Sequence, residues 1–214
     1  MLKTVIFDFD GVVIDTEVVY LESVKEYLKT LNIETTIQAI QYIVGMKMET
    51  ITKNLQDQFA LQAYSIDELI KGQRAIFNQK MSSKDITLMP GIKAFLKTLK
   101  QKEIKCILAS SSSRDYLCKL LNQFEIEEYF DFIVSGEEVK NSKPHPDIFL
   151  KAIAKSTFEK SEALIIEDSV NGIKAGLDAG IQVVGFKGSL LWQNTSGANF
   201  EVSDFRELSE LLFK

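Results

Sequence analysis

The sequence predicts an α/β protein: a doubly wound, Rossmann-like parallel sheet with an all-helical domain inserted after the first strand. Three observations lead there. Short apolar runs without polar alternation, the pattern of strands buried on both faces, recur at 4–9, 104–109, 131–135, 163–166 and 182–186. Between the later runs lie helix-length stretches with 3.6-residue periodicity at 92–101, 114–124, 147–155 and 170–179. Strands alternating with helices build a parallel sheet from βαβ units. The first interval breaks this rhythm. From 16 to 84 no run reads as a strand, and amphipathic stretches at about 16–31, 48–62 and 66–81 supply too much chain for a single crossover.

The elements follow in order. The first strand opens a core expected to comprise 1–15 and 85–214, and 16–84 is expected to form the helical domain. Met89-Pro90-Gly91 reads as the turn that returns the chain to the core, with Pro90 ahead of the helix at 92–101. After the fifth strand, 192–199 is rich in Asn, Ser, Gly and Thr and reads as a loop. Residues 200–203 read as an edge strand, and Asp204 is placed to cap the last helix. There are no internal repeats and no low-complexity tract.

Composition narrows the function classes. With 214 residues, 45% hydrophobic and 26% charged, the chain can bury a core without disulfide or metal staples. The net charge is −5, and no segment concentrates Lys and Arg as a nucleic-acid backbone would require. A small anion remains compatible, because a local site can be positive on an acidic protein. Cys106 and Cys118 lie in apolar surroundings at no metal-ligand spacing, and both are expected to be buried reduced thiols, as suits a reducing cytosol. Asp8 and Asp10 interrupt the apolar N-terminal run, so no signal peptide is expected, and no segment approaches the length of a membrane span. A cytoplasmic monomer, with neither nucleic acid nor membrane as a partner, is the expectation.

Polar residues of useful types collect where the predicted strands end. The first strand runs into Asp8 and Asp10, followed by Gly11; the second ends at Ser110; the loop after the third holds Lys143; the fourth ends at Glu167 and Asp168. Ligands of open parallel sheets bind beyond the carboxyl ends of the strands, so these residues can converge on one crevice. Asp8, Asp10, Glu167 and Asp168 would repel one another if left alone, and a hard divalent cation such as Mg²⁺ would relieve that. Lys143 and the Ser110 hydroxyl would supply donors to phosphate oxygens. Each feature taken singly has a plainer reading. Asp8 and Gly11 could form only a turn, Glu167-Asp168-Ser169 a helix N-cap, Ser110–Ser113 a capping loop, and Lys143 a surface lysine. Their joint occurrence at strand ends points to phosphoryl transfer.

The same residues carry a resemblance. Asp8-Phe9-Asp10-Gly11-Val12-Val13-Ile14-Asp15-Thr16-Glu17 resembles the first motif of the haloacid dehalogenase superfamily. Ala109-Ser110-Ser111-Ser112 resembles its second motif, Lys143-Pro144-His145-Pro146-Asp147-Ile148-Phe149 its third, and Glu167-Asp168-Ser169-Val170-Asn171-Gly172 its fourth. The motifs occur in order and span essentially the whole chain, which is similar to the β-phosphoglucomutase-like and sugar-phosphatase group, with its helical cap after the first motif. The resemblance implies that Asp8 is the nucleophile and forms an aspartyl-phosphate. Asp10 would protonate the leaving group and then activate water. Asp8, the backbone carbonyl of Asp10, and Asp168 would hold Mg²⁺, with Glu167 at the metal or orienting its waters. Ser110 and Lys143 would hold the phosphoryl group, assisted by backbone N–H groups near Phe9 and Ser111. Asp15 would lie at the mouth of the site.

The cap would decide the activity. The mutase branch carries a His on the first cap helix and Arg and Lys elsewhere in the cap; the aligned positions here are Tyr20, Met48 and Asn78. His145, the one histidine, belongs to the third motif and reads as a loop residue. Among the basic residues of the inserted region, Lys47, after Gly45-Met46, is the best placed to read a substrate. The expectation is a Mg²⁺-dependent phosphatase acting on a small phosphorylated metabolite, most plausibly a sugar phosphate. A β-phosphoglucomutase-type phosphomutase is the alternative. A phosphorylation-dependent switch module is disfavoured because a lasting switch needs no leaving-group acid. A dehalogenase is disfavoured because that branch lacks the second Asp.

Overall fold

A computed structural model describes residues 1–43, 48–81, 86–189 and 194–214. In chain order, β1 (Thr4–Phe7) is followed by α1 (Thr16–Thr30), α2 (Ile37–Ile40), α3 (Met48–Gln58) and α4 (Ile66–Met81). Then come α5 (Ile92–Gln101), β2 (Lys105–Ser110), α6 (Arg114–Gln123), β3 (Phe132–Ser135) and α7 (Asp147–Ser156). The chain closes with β4 (Ala163–Glu167), α8 (Val170–Asp178), β5 (Gln182–Phe186), β6 (Phe200–Val202) and α9 (Phe205–Phe213). The chain divides into two compact units, Met1–Ile14 with Leu88–Lys214, and Asp15–Thr87. Among the described residues no helix is long and apolar enough to cross a membrane.

The first unit is the α/β fold that the sequence predicts. Its sheet has the order β3-β2-β1-β4-β5-β6, and every strand pair is parallel. All four residues of β1 and all five of β4 are buried, which explains why these strands read as continuous apolar runs. One face packs Ile6, Ile107 and Ile165 against Ile148, Phe149 and Ala152 of α7 and Ile173 of α8. On the other, Phe7 meets Phe95 of α5 edge-on at 6.1 Å, and Phe205 of α9 lies 5.3 Å from Phe95 and 4.5 Å from Phe186. Each such buried aromatic contributes about 2–3 kcal/mol through burial alone. Residues 200–202 do form the edge strand, and the Asp204 carboxylate accepts from the backbone N–H groups of Arg206 and Glu207 at 2.8 Å, capping α9.

The second unit is all helical among its described residues, with α1 packed on α4 and α4 on α3. Leu21, Val24 and Leu28 of α1 and Leu69 of α4 are buried within it. The Tyr20 ring meets Phe77 edge-on at 5.7 Å, and its hydroxyl lies 3.7 Å from the Met48 sulfur.

Several boundaries differ from the sequence reading. β1 stops at Phe7, because the Phe9 carbonyl turns to accept from the N–H groups of Val12, Val13 and Ile14. β2 and β4 extend one residue past their apolar runs, to the expected strand ends Ser110 and Glu167, whose side chains are buried although polar. The short α2 and the 3-10 turn Gln41–Ile43 were not foreseen; their lengths fall below what periodicity can register. Cys106 is buried as expected, but Cys118 is only half-buried.

Candidate active site

Two strand ends define the crevice. The chain leaves β1 toward β2 on one side, and leaves β4 toward β5 on the other. Ligand sites of open parallel sheets form where the connections part in this way. Phe7 pairs in register with Ile166, and the N–H of Asp8 donates to the Ile166 carbonyl at 3.0 Å, so Asp8 emerges beside the end of β4. Gly11, with φ +84, makes the turn after it; a Cβ at Gly11 would enter the Asp168 carboxylate, so the glycine permits the approach of these two loops.

Lys143 joins the two ends. It lies 135 residues from Asp8 in sequence, yet its Nζ donates to Asp8 Oδ1 at 2.5 Å and to Glu167 Oε1 at 2.7 Å. The same ammonium is 3.4 Å from the Ala109 carbonyl at the end of β2 and 4.8 Å from the centre of the Phe149 ring. Its side chain is 8% exposed, against 10% for Asp8 and 1% for Glu167. A surface lysine is therefore excluded. Burial pushes the Asp8 carboxyl up to about 7; Lys143 pulls it down, while Glu167 and Asp10 push with burial. Burial works against the Lys143 ammonium, but Asp8 and Glu167 outweigh it and hold the group protonated well above the ordinary range.

Glu167 is also tied to the helix that follows. Its Oε2 accepts from the Ser169 N–H at 2.7 Å and from the Ser169 hydroxyl at 2.9 Å, and that hydroxyl accepts from the Gly172 N–H at 3.0 Å, capping α8. The helix-capping role falls to Ser169, and both acids stay buried at the crevice. Asp8, Glu167 and Asp168 each present a carboxylate oxygen within 4.8 Å of the other two. An all-oxygen donor set carrying this much negative charge fits a hard divalent cation such as Mg²⁺.

Asp10 faces a different set of partners. Half-buried, its Oδ2 accepts from the Ser112 hydroxyl at 3.0 Å and its Oδ1 from the Tyr116 hydroxyl at 3.2 Å. Burial and then the Asp10 charge raise the Tyr116 phenol far above its ordinary range. The Tyr116 ring packs edge-on against Phe9 at 6.0 Å.

Of the residues singled out in the sequence, Asp8, Glu167, Asp168 and Lys143 meet in one cluster. Ser110 is buried at the end of β2, where its hydroxyl accepts from the Ser112 N–H at 3.1 Å, and Ser111 is exposed in the loop that follows. Asp15 begins the helical unit, preceding α1 without a side-chain bond to its first turn. Lys47 lies outside the described residues. His145 is an exposed loop residue whose Nδ1 is 2.8 Å from Asp147. Sequence reasoning missed Ser112 and Tyr116. Ser112 lies in the loop before α6 and Tyr116 in its first turn; the only signal was their place directly after the second strand end, where ligands of parallel sheets bind.

Comparison with known proteins agrees with this geometry. The family model for haloacid dehalogenase-like hydrolases matches residues 5–186. The phosphorylated carbohydrates phosphatase of Thermotoga maritima is 29% identical over 183 residues, covering 85% of this chain and 83% of that protein. The crystal structure of a β-phosphoglucomutase from Clostridium difficile superposes with a TM-score of 0.68 at 27% identity, over 97% of this chain and 93% of that one. A hydrolase from Deinococcus radiodurans, solved with bound phosphate and sodium, superposes with a TM-score of 0.85 over 99% and 95% at 23% identity, a likeness of fold. With four ordered motifs, the sheet topology and a family match across most of its length, the chain belongs to the haloacid dehalogenase-like hydrolases.

Proposed function

We propose that the protein is a Mg²⁺-dependent phosphatase that hydrolyses a small phosphorylated metabolite, a sugar phosphate in the first instance, through an aspartyl-phosphate on Asp8. The observation that carries this reading is the buried Asp8 carboxylate, 2.5 Å from the Lys143 ammonium and beside the Glu167 and Asp168 carboxylates. Asp8, Asp168 and the backbone carbonyl of Asp10 would hold the cation, with Glu167 next to it. When bound, the cation supplies positive charge to the phosphoryl oxygens.

The chain's own groups do the rest. Asp8 attacks phosphorus and the ester oxygen departs; Asp10 gives that oxygen a proton. Asp10, now a carboxylate, takes a proton from water as the water attacks the phosphorus of the aspartyl-phosphate, which restores Asp8 and releases inorganic phosphate. Lys143 and the Ser110 hydroxyl balance the charge on the transferring group. Residues 16–84 act as the cap in this scheme, with Asp15, Ser111 and Lys47 assigned to substrate binding.

Hydrolysis is favoured over phosphomutase chemistry by the helical unit itself. Where the mutase branch carries a His, Tyr20 packs against Phe77 and Met48. Burial pushes the Tyr20 phenol up to about 12, so it stays protonated at neutral pH and cannot exchange a proton there as an imidazole would. The test is phosphate release from a panel of sugar and organic-acid phosphates with Mg²⁺, including β-glucose 1-phosphate with and without glucose 1,6-bisphosphate. Free phosphate, abolished by chelator and restored by Mg²⁺, is expected. Glucose 6-phosphate appearing with little free phosphate would replace this reading by the mutase one.

A further inference from the structure

The Asp10 carboxylate is held at both ends. One oxygen accepts from Ser112 at 3.0 Å, the other from Tyr116 at 3.2 Å, and neither donor was assigned a role in the phosphatase scheme. A carboxylate on a turn has freedom about its side-chain torsions. Two donors on opposite oxygens remove that freedom, because the plane of the carboxylate must then contain both directions. The Tyr116 hydroxyl is itself fixed. Its ring stands edge-on to Phe9, a fully buried residue on the same loop as Asp10, and its backbone belongs to α6, which packs on β3.

We propose that Tyr116 is a positioning residue for the leaving-group step: its hydroxyl, with that of Ser112, sets the orientation in which Asp10 presents its proton to the departing oxygen. The proposal rests on the assignment of Asp10 as general acid. No bond to Tyr116 is made or broken. The proton that leaves Asp10 goes to the ester oxygen as its bond to phosphorus breaks, and the Tyr116 hydroxyl keeps its own proton throughout. Proton donation matters in proportion to the basicity of the leaving group. Misorienting Asp10 should therefore penalise substrates with basic leaving groups and spare those that depart as stable anions, a pattern that general loosening of the site would not produce.

The experiment compares kcat/KM on phenyl phosphate and 2,4-dinitrophenyl phosphate, with Mg²⁺, for the wild-type protein, Tyr116→Phe and Asp10→Asn. This ratio covers the steps through transfer to Asp8, so the later attack of water does not mask the effect. Tyr116→Phe keeps the ring and its contact with Phe9 and removes only the hydroxyl. The expected result is a loss of up to about tenfold on phenyl phosphate, the scale of one hydrogen bond, with less than about a twofold change on the dinitrophenyl ester. Asp10→Asn should show the same selectivity on a larger scale, on the order of 10²-fold or more. Equal losses on both esters by Tyr116→Phe, or none, would overturn the positioning role while Asp10→Asn remained selective. If Asp10→Asn itself lost both esters equally, the general-acid assignment would fail, and the role of Tyr116 with it.

Discussion

At the scale of single residues, the site is a problem of buried charge. Lys143 is the counter-ion that makes two buried carboxylates tolerable, and removing one member of such a group leaves the others unpaired. Lys143→Met should abolish phosphate release and destabilise the fold by about 3–5 kcal/mol, read by denaturant unfolding; a variant of unchanged stability would show that the ion pairs contribute nothing. Asp8 gives a pH dependence with a definite sign. Its carboxyl is raised from 3.8 to about 7 in the folded protein, so in the absence of metal the folded state favours the protonated form, and stability from this group declines as pH rises between those values. Cation binding needs the ionised form. The rise in Tm on adding Mg²⁺ should therefore be larger at about pH 8 than at about pH 5.5. An equal rise at both would remove Asp8 from the ligand set.

At the scale of elements, what positions these charges is close packing between loops and helix ends. Gly172, in the first turn of α8, is where a Cβ would enter the Glu167 carboxylate. Gly172→Ala should cost about 1–3 kcal/mol and displace Glu167 from Lys143, lowering activity. Gly197→Ala is the matched control: among the described residues its Cβ would meet only Ile173 at 3.7 Å, an ordinary contact, and thermal melting and activity should stay unchanged. Equal behaviour of the two variants would mean that the α8 terminus does not hold Glu167 in place. The strands themselves were readable because burial on both faces erases polar alternation, leaving β1 and β4 as apolar runs. Their ends were less readable. The apolar run of β1 continues to Phe9, but the strand stops at Phe7 where the Phe9 carbonyl turns into the following loop. The four residues of α2 carry too little periodicity to register at all.

At the scale of the molecule, the cluster Asp8, Lys143, Glu167 and Asp168 was legible because the strand-end rule of parallel sheets and the ordered motifs converge on the same positions. The Asp10 partners were not. Ser112, in the loop before α6, and Tyr116, in its first turn, reach Asp10 from more than a hundred residues away in sequence, and a helix face turned toward a site looks in sequence like one turned toward the core. The central claim is that the phosphoryl group passes through Asp8. It is tested most directly by acid-quenching the wild-type protein during turnover of phenyl phosphate with Mg²⁺ and mapping modified peptides by mass spectrometry. A phosphoryl group on the peptide containing Asp8, assigned to Asp8 by fragmentation and absent from Asp8→Asn, is the predicted result. Phosphate release in the same reactions with Asp8 unmodified at every quench time, or a phosphoryl group on another residue, would contradict it.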